Sequence, residues 1–307
     1  MKVTIPDGLK ADMPQTPWGK ILTATPIVMA VVATALAGLA SSEMTRAQYG
    51  RSLAAQQQSK AGDQWSFFQA KRLRSALQRN TLDLLEAASA THPLDPAALQ
   101  QAVATSDKLR LQLDNPGGQK ALLLLQKGEL PTTASGAPLP TEIKGVLAAI
   151  EALKPEDEIA ALLGKVSTKL ITETIINAKE QTDAFDAATK PVNQTIEALD
   201  GALMQPEARR DFIAARIRFA ALRYDTEARL NQVIANLYEL QVRQNNISAE
   251  RHHGRSQRFF YGMLGAQAAV IISTFSIAAR QRNLLWILAA AAGVTALLFA
   301  GWVYLYV

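Results

Sequence analysis

The chain contains no cysteine, and that absence removes disulfides, thiolate catalysis and cysteine-ligated metal sites together. Histidine is nearly as scarce, with three in 307 residues. Two of these, His252 and His253, are neighbours. Adjacent side chains on a helix point about 100° apart, and no acid or third histidine is placed to complete a shell, so no metal site is expected. There is no Walker loop, no dinucleotide glycine fingerprint and no nucleophile elbow. No alternating pattern of useful length points to a strand. The expectation is a chain without catalytic residues, without a cofactor and without enzymatic activity.

Charge of either sign is missing from three long apolar runs, Ile21–Ala40, Phe259–Ala279 and Leu284–Val307. Each reaches the ~20 residues that a helix needs to cross a bilayer. Ion-coupled transport places ionisable groups at membrane depth, so a secondary transporter is not expected. The fold class read from this pattern is all-α: an integral membrane protein with three transmembrane helices and a long, coiled-coil-like helical insert. In residue terms, 1–20 is a tail and 21–41 the first membrane helix. Residues 42–258 are the extramembrane segment, 259–279 and 284–307 the other two membrane helices, and 280–283 a short basic turn. Gly38-Leu39-Ala40 resembles a signal-peptide cleavage site, but Trp18 sits where an interfacial aromatic belongs, so the first run is read as an uncleaved anchor.

The formal net charge is +5. Lys2, Lys10, Lys20, Arg280 and Arg282 lie outside the insert against only Asp7 and Asp12, so the insert is nearly balanced. A nucleic-acid binder clusters its positive charge, so no nucleic-acid partner is expected. Arg280 and Arg282 fall in the shortest loop, where the positive-inside bias is strongest. That places the turn and the N-terminus in the cytoplasm and the insert outside it. Arg251, His252, His253, Arg255 and Arg258, just before the second run, are expected at headgroup level against membrane lipid, as are Trp18, Arg280 and Arg282 at the other boundaries.

Within the insert, no breaker appears between Glu43 and about Ala90, where Leu73, Leu77 and Leu84 suggest a packing stripe. Asp95-Pro96 predicts a helix running to about Asn115, and residues 116–140 a tip loop. A short helix is expected over Glu142–Leu153 and another from Pro155, with a kink or break at Pro191. The chain restarts at Pro206 and keeps heptad spacing through Phe212, Ala215, Phe219, Leu222 and Thr226, then through Leu230, Val233, Leu237 and Leu240. These stripes are narrow for a long isolated pair of helices, so association with further copies is expected.

Asp63-Gln64-Trp65-Ser66-Phe67-Phe68-Gln69-Ala70-Lys71 is the densest aromatic cluster of the insert. Helical core packing is its ordinary reading. As an anchor for a subunit or a protein partner it would use Trp65, Phe68 and Lys71, with Phe212 and Phe219 from the last helix. With the first apolar run, Arg251-His252-His253-Gly254-Arg255 and the terminal hairpin, this segment resembles an uncharacterised bacterial inner-membrane family known only as a domain of unknown function. The resemblance implies an architecture and a location and carries no activity. The function expected is a non-enzymatic, homo-oligomeric membrane scaffold; an oligomeric pore and an accessory subunit of a larger membrane complex are the alternatives.

Overall fold

Helix starts in this chain are written in proline and short polar side chains, and the helices begin where those residues stand. The computed structural model describes residues 17–132, 138–278 and 282–306, and among them every regular element is an α-helix. In chain order these are α1 (Pro17–Ala88), α2 (Pro96–Thr105), α3 (Asp107–Asp114), α4 (Pro116–Lys127), α5 (Thr141–Glu151), α6 (Glu156–Leu163), α7 (Thr168–Asp200), α8 (Pro206–Ala278) and α9 (Arg282–Tyr306). Asp95 caps α2 by accepting from the Ala97 and Ala98 N–H groups, and Pro96 occupies the first helical position, whose N–H has no acceptor inside the helix.

The chain divides into two units, Met1–Leu53 with Asn245–Val307, and Ala54–Gln244. Helices α1 and α8 each contribute a segment to both. In the Ala54–Gln244 unit the two segments run antiparallel: Trp65 pairs with Glu239, Lys71 with Glu227 and Ser75 with Ala221. The residues they bury are small. Ala54, Ala61 and Ser75 on α1, and Ala214, Ala221, Ala228 and Ala235 on α8, fall on sevenfold spacing and are all buried. Small side chains allow the backbones to approach, and Ser75 Oγ donates directly to the Ala221 carbonyl at 3.0 Å.

This seam replaces the one expected on α1. Leu73, Leu77 and Leu84 are 62%, 54% and 72% exposed, because the alanine stripe on another face of the helix takes the inner position. On α8 part of the expected stripe is buried, with Phe212, Phe219, Leu237 and Leu240 at most 1% exposed, while Leu222, Thr226, Leu230 and Val233 between them are half-buried. Around Phe212 and Phe219 gathers the main core of this unit, which takes in Leu94, Leu99, Leu109, Leu125, Val192 and Leu199.

Three boundaries differ from expectation for local reasons. Ser106 ends α2 and caps α3 by accepting from the Leu109 N–H, so the helix from Pro96 is broken there. Asn115-Pro116 is a start signal: Asn115 caps α4 and accepts from the Gly117 N–H at 2.9 Å, so the loop begins only after Lys127. The corner into α4 needs Gly118, since a Cβ there would lie 1.9 Å from the Gln112 carbonyl oxygen. Gly128 closes α4 in the left-handed region at φ 65. Pro191 lies inside α7, which continues from Thr168 to Asp200; the break falls earlier, where Ser167 caps the new helix through the Leu170 N–H.

In the other unit, α1 and α8 again run antiparallel, and α9 packs on both. Its core joins Ala33, Leu36 and Ala40 to Phe259, Ala266, Ala296 and Val303. Gly293 lets Met29 approach, since a Cβ there would sit 2.3 Å from the sulfur. Small residues four apart are packed here inside the chain: Gly262 and Ala266, Gly265 and Ala269, and Ala289 and Gly293. Thr34 is exposed, and Gly38 has nothing within 4 Å of a built Cβ.

Two helices, over Ala24–Ala88 and Leu284–Leu305, are long and apolar enough to cross a membrane. The expected third span does not reach that standard among the described residues. Its side chains from residue 276 onward are outside the described ones, and its last residue, Ala279, lies outside the described residues.

Candidate interaction and membrane-facing sites

The aromatic segment of α1 is turned inward. Trp65 Nε1–H donates to Glu239 Oε1 at 2.7 Å, and its ring meets Phe68 edge-on with centroids 5.4 Å apart. Lys71 pairs with Glu227 and lies 5.3 Å from the centre of the Tyr224 ring. Phe212 and Phe219 are 0% and 1% exposed. Of the five residues read as partner anchors, Phe212 and Phe219 are buried in the core of their own unit, and Trp65, Phe68 and Lys71 are half-buried with contacts inside it. Phe67, one residue from the anchor pair, is the exposed aromatic of the segment at 52%.

Beside Lys71 sits a charged layer that the sequence reading did not single out. Asp225 is buried and accepts from Arg72 at 2.8 Å and from Arg229, with Arg79 at 3.7 Å. Glu227 is also buried and takes Lys71 and, at 3.3 Å, Arg223. The Tyr224 ring carries Arg223 at 4.7 Å and Arg74 at 5.8 Å as well. Burial opposes the charge on Asp225, but hydrogen bonds from Arg229 and Arg72 and the charges of Arg229 and Arg79 outweigh it and hold its carboxyl below the usual range. Asp186 moves the other way: burial, then the nearby charge of Glu227, pushes its carboxyl up.

The pH consequence of Asp225 follows from its sign. A depressed carboxyl adds stability above its unfolded pKa of about 3.9, and that stability is lost as pH falls through the folded value. The Asp225→Asn variant of the full chain is expected to be less stable at pH 7 by about 1–3 kcal/mol and to lose less than the parent on acidification. Urea melts in mild detergent at pH 7 and pH 3 check this. A variant whose acid loss equals the parent's would contradict the assignment.

In the other unit two of the basic residues before the second apolar run, His252 and Arg258, meet groups of the chain itself. Glu43, 8% exposed, has Oε2 2.6 Å from His252 Nδ1 and accepts from Arg46 Nη1 at 3.2 Å. His252 therefore faces a buried carboxylate, where lipid phosphate was expected. Ser256 Oγ donates to the Ala40 carbonyl at 2.7 Å, one helical turn further on. Arg258 places its guanidinium 5.5 Å from the centre of the Trp302 ring. His253 Nε2 lies 3.1 Å from Gln257 Nε2, Arg255 is half-buried and Arg251 is exposed. The side chains of Trp18 and Arg282 are outside the described ones, and Arg280 lies outside the described residues.

Among the described residues no group of three or more His, Asp or Glu side chains is placed to hold a metal ion. The four most buried acids are instead engaged by the chain itself: Glu43, Asp225 and Glu227 as above, and Asp211 by the His92 N–H at 3.0 Å and by Arg210. A signal for the seam was present in the sequence as Ala54, Ala61 and Ser75 on α1 and Ala214, Ala221, Ala228 and Ala235 on α8, spaced by multiples of seven.

Comparison with known proteins gives one match. Residues 18–116 match a family described as a domain of unknown function (DUF4337). The matched stretch begins at the start of α1, includes Asp63–Lys71 and ends at the start of α4. Helices α8 and α9 lie beyond it. No curated protein and no solved structure matched the chain.

Proposed function

We propose that this chain is a non-enzymatic, membrane-anchored scaffold that works as a homo-oligomer. The observation that carries the reading is the placement of its apolar helices: the stretches fit to cross a membrane belong to one unit, while Ala54–Gln244 has a separate core and a charged layer. In this reading Phe259–Ala279 is a third span. Its amide and hydroxyls are tolerated because α8 packs on α1 and α9 through small residues. The chain is then a multi-pass protein of a bacterial inner membrane, with a cytoplasmic N-terminus and the Ala54–Gln244 unit in the periplasm. The internal pairing of its buried acids supports a structural role for them. Alkaline carbonate extraction of membranes tests the anchoring: the full chain is expected in the pellet, and release into the supernatant would overturn it.

Self-association has a surface to use. Phe67, Leu73, Leu77 and Leu84 stand exposed along α1 of the larger unit, with Asn80 between the leucines. The leucines keep the three-and-four spacing of a coiled-coil seam, and a polar residue in such a seam sets register. The full chain in mild detergent is expected to have the mass of an oligomer, and Leu73→Glu with Leu77→Glu to reduce it to that of one chain. Light scattering on sized particles reads both. A monomeric parent chain would sink the oligomer, and an unchanged variant would sink this face. Measurement of conductance after reconstitution addresses the pore alternative, for which no current is expected.

A further inference from the structure

In the unit formed by Met1–Leu53 and Asn245–Val307, α1 turns alanines toward α8, and along one side these are too small to fill the seam. A groove results in two stretches that meet at Ala37. One, of about 490 Å³, has Ala37, Phe260 and Met263 among its walls. The other, of about 500 Å³, continues past Ala33 and Ala30 to Val270 and Ile271. From Met44 to Ala30 the groove follows α1 for about 21 Å at 1.5 Å per residue. One leaflet of a bilayer holds about 15 Å of hydrocarbon.

Polarity changes along that length. At the Met44 end the lining includes Ser41, His253 and Gln257, with Tyr261 beside them. Further along it is alanine, valine and isoleucine, with Thr34 and Gln267 as its polar members. Neither stretch is lined by a carboxylate. The neighbouring Glu43 is directed to His252 and Arg46, and the exposed cations Arg46 and Arg251 lie within about one and a half turns of Ser41 and His253 along their helices. A hydroxyl, an imidazole, an amide and nearby guanidinium groups at one end suit a phosphate, and an apolar trough leading away suits a hydrocarbon chain.

We propose that this groove binds one anionic phospholipid, with its phosphate at Ser41, His253 and Gln257 and one acyl chain laid over Ala37 toward Ile271. The proposal rests on the membrane-anchored reading, since the groove's polar end must lie at headgroup level. A lipid held there would complete the under-filled seam and tie α1 to α8 where the apolar run ends. The competing occupant is the apolar helix of a second copy, for which Thr34 and Gln267 would supply hydrogen bonds across the interface.

The test uses the full chain in mild detergent, with phosphatidylglycerol or phosphatidylcholine added and bound lipid counted by native mass spectrometry. One phosphatidylglycerol per chain is expected, held in preference to phosphatidylcholine. Ala37→Phe fills the junction and is expected to lower occupancy about tenfold, a difference of about 1.4 kcal/mol in binding. Ala35→Phe, at an exposed position of the same helix, is expected to leave it unchanged. His253→Ala with Gln257→Ala alters only the polar end and is expected to abolish the preference for the anionic lipid, which keeps the test decisive if Ala37→Phe does not fold. Equal retention of the two lipids by the parent chain overturns the proposal. So does undiminished phosphatidylglycerol in folded Ala37→Phe, or a dimer that Gln267→Leu dissociates. A chain recovered in the carbonate pellet that retains no lipid fails the groove alone; one that leaves the pellet fails the anchoring itself.

Discussion

Phe212→Ala is expected to lower the unfolding free energy of the full chain by about 3–5 kcal/mol, the range for deleting a fully buried phenyl ring. The ring is 0% exposed and lies in the core that α8 forms with the short helices, alongside Leu99, Leu109 and Val192. Its removal takes apolar surface out of contact and leaves a cavity that three separate helices must collapse to fill. Phe219→Ala, two helical turns away and in the same core, is expected to behave alike. Urea melts in mild detergent followed by helical circular dichroism give the difference. The result also separates two roles. A residue that anchors a partner leaves the chain's own stability nearly unchanged when truncated and weakens association, whereas a core residue does the reverse. A Phe212→Ala protein that melts with the parent would return Phe212 to the interaction surface.

Ala61→Leu and Ala235→Leu form the second large expectation, each destabilising by about 1–3 kcal/mol through overpacking. Both alanines are 0% exposed, on helices whose backbones approach closely enough for Ser75 to reach the Ala221 carbonyl. Three added carbons have no free volume to enter, so the helices must separate or the leucine must leave its preferred rotamer. Leucine is a good helix former, so a loss cannot be assigned to helix propensity. Ala70→Leu on the same helix, at an exposed position, is the control and is expected within about ±0.5 kcal/mol of the parent. If Ala61→Leu melts with that control, the alanine seam does not hold the two helices together.

Much of the fold was legible because it is local. The cap at Asp95-Pro96, the restart at Pro206 and the unbroken length of α1 and α8 depend on residues within one turn of each other. The errors were local too, where one signal had two meanings. Asn115-Pro116 ends one helix, as read, and also starts the next, and Pro191 lies inside a helix that continues past it. The face of α1 was misread for a different reason. Leucines at three-and-four spacing are the stronger hydrophobic signal, and a stripe of alanines buries less area per residue. What decides in favour of the alanines is the close approach of the partner helix, a property of the pair rather than of either helix. Trp65 and Lys71 lie in the segment singled out, and their partners Glu239 and Glu227 were not legible because they lie far away in the chain.

By itself, then, the sequence determined that the described residues are helical, where most helices begin, and two stretches apolar enough for a membrane, because capping, proline and hydropathy act over a few residues. Only the tertiary structure decided which face of each long helix is inside, which acid answers which cation, and where a groove is left open beside Ala37. Those outcomes depend on the distance between two backbones brought together from opposite ends of the chain, and in this protein that distance is set by alanine.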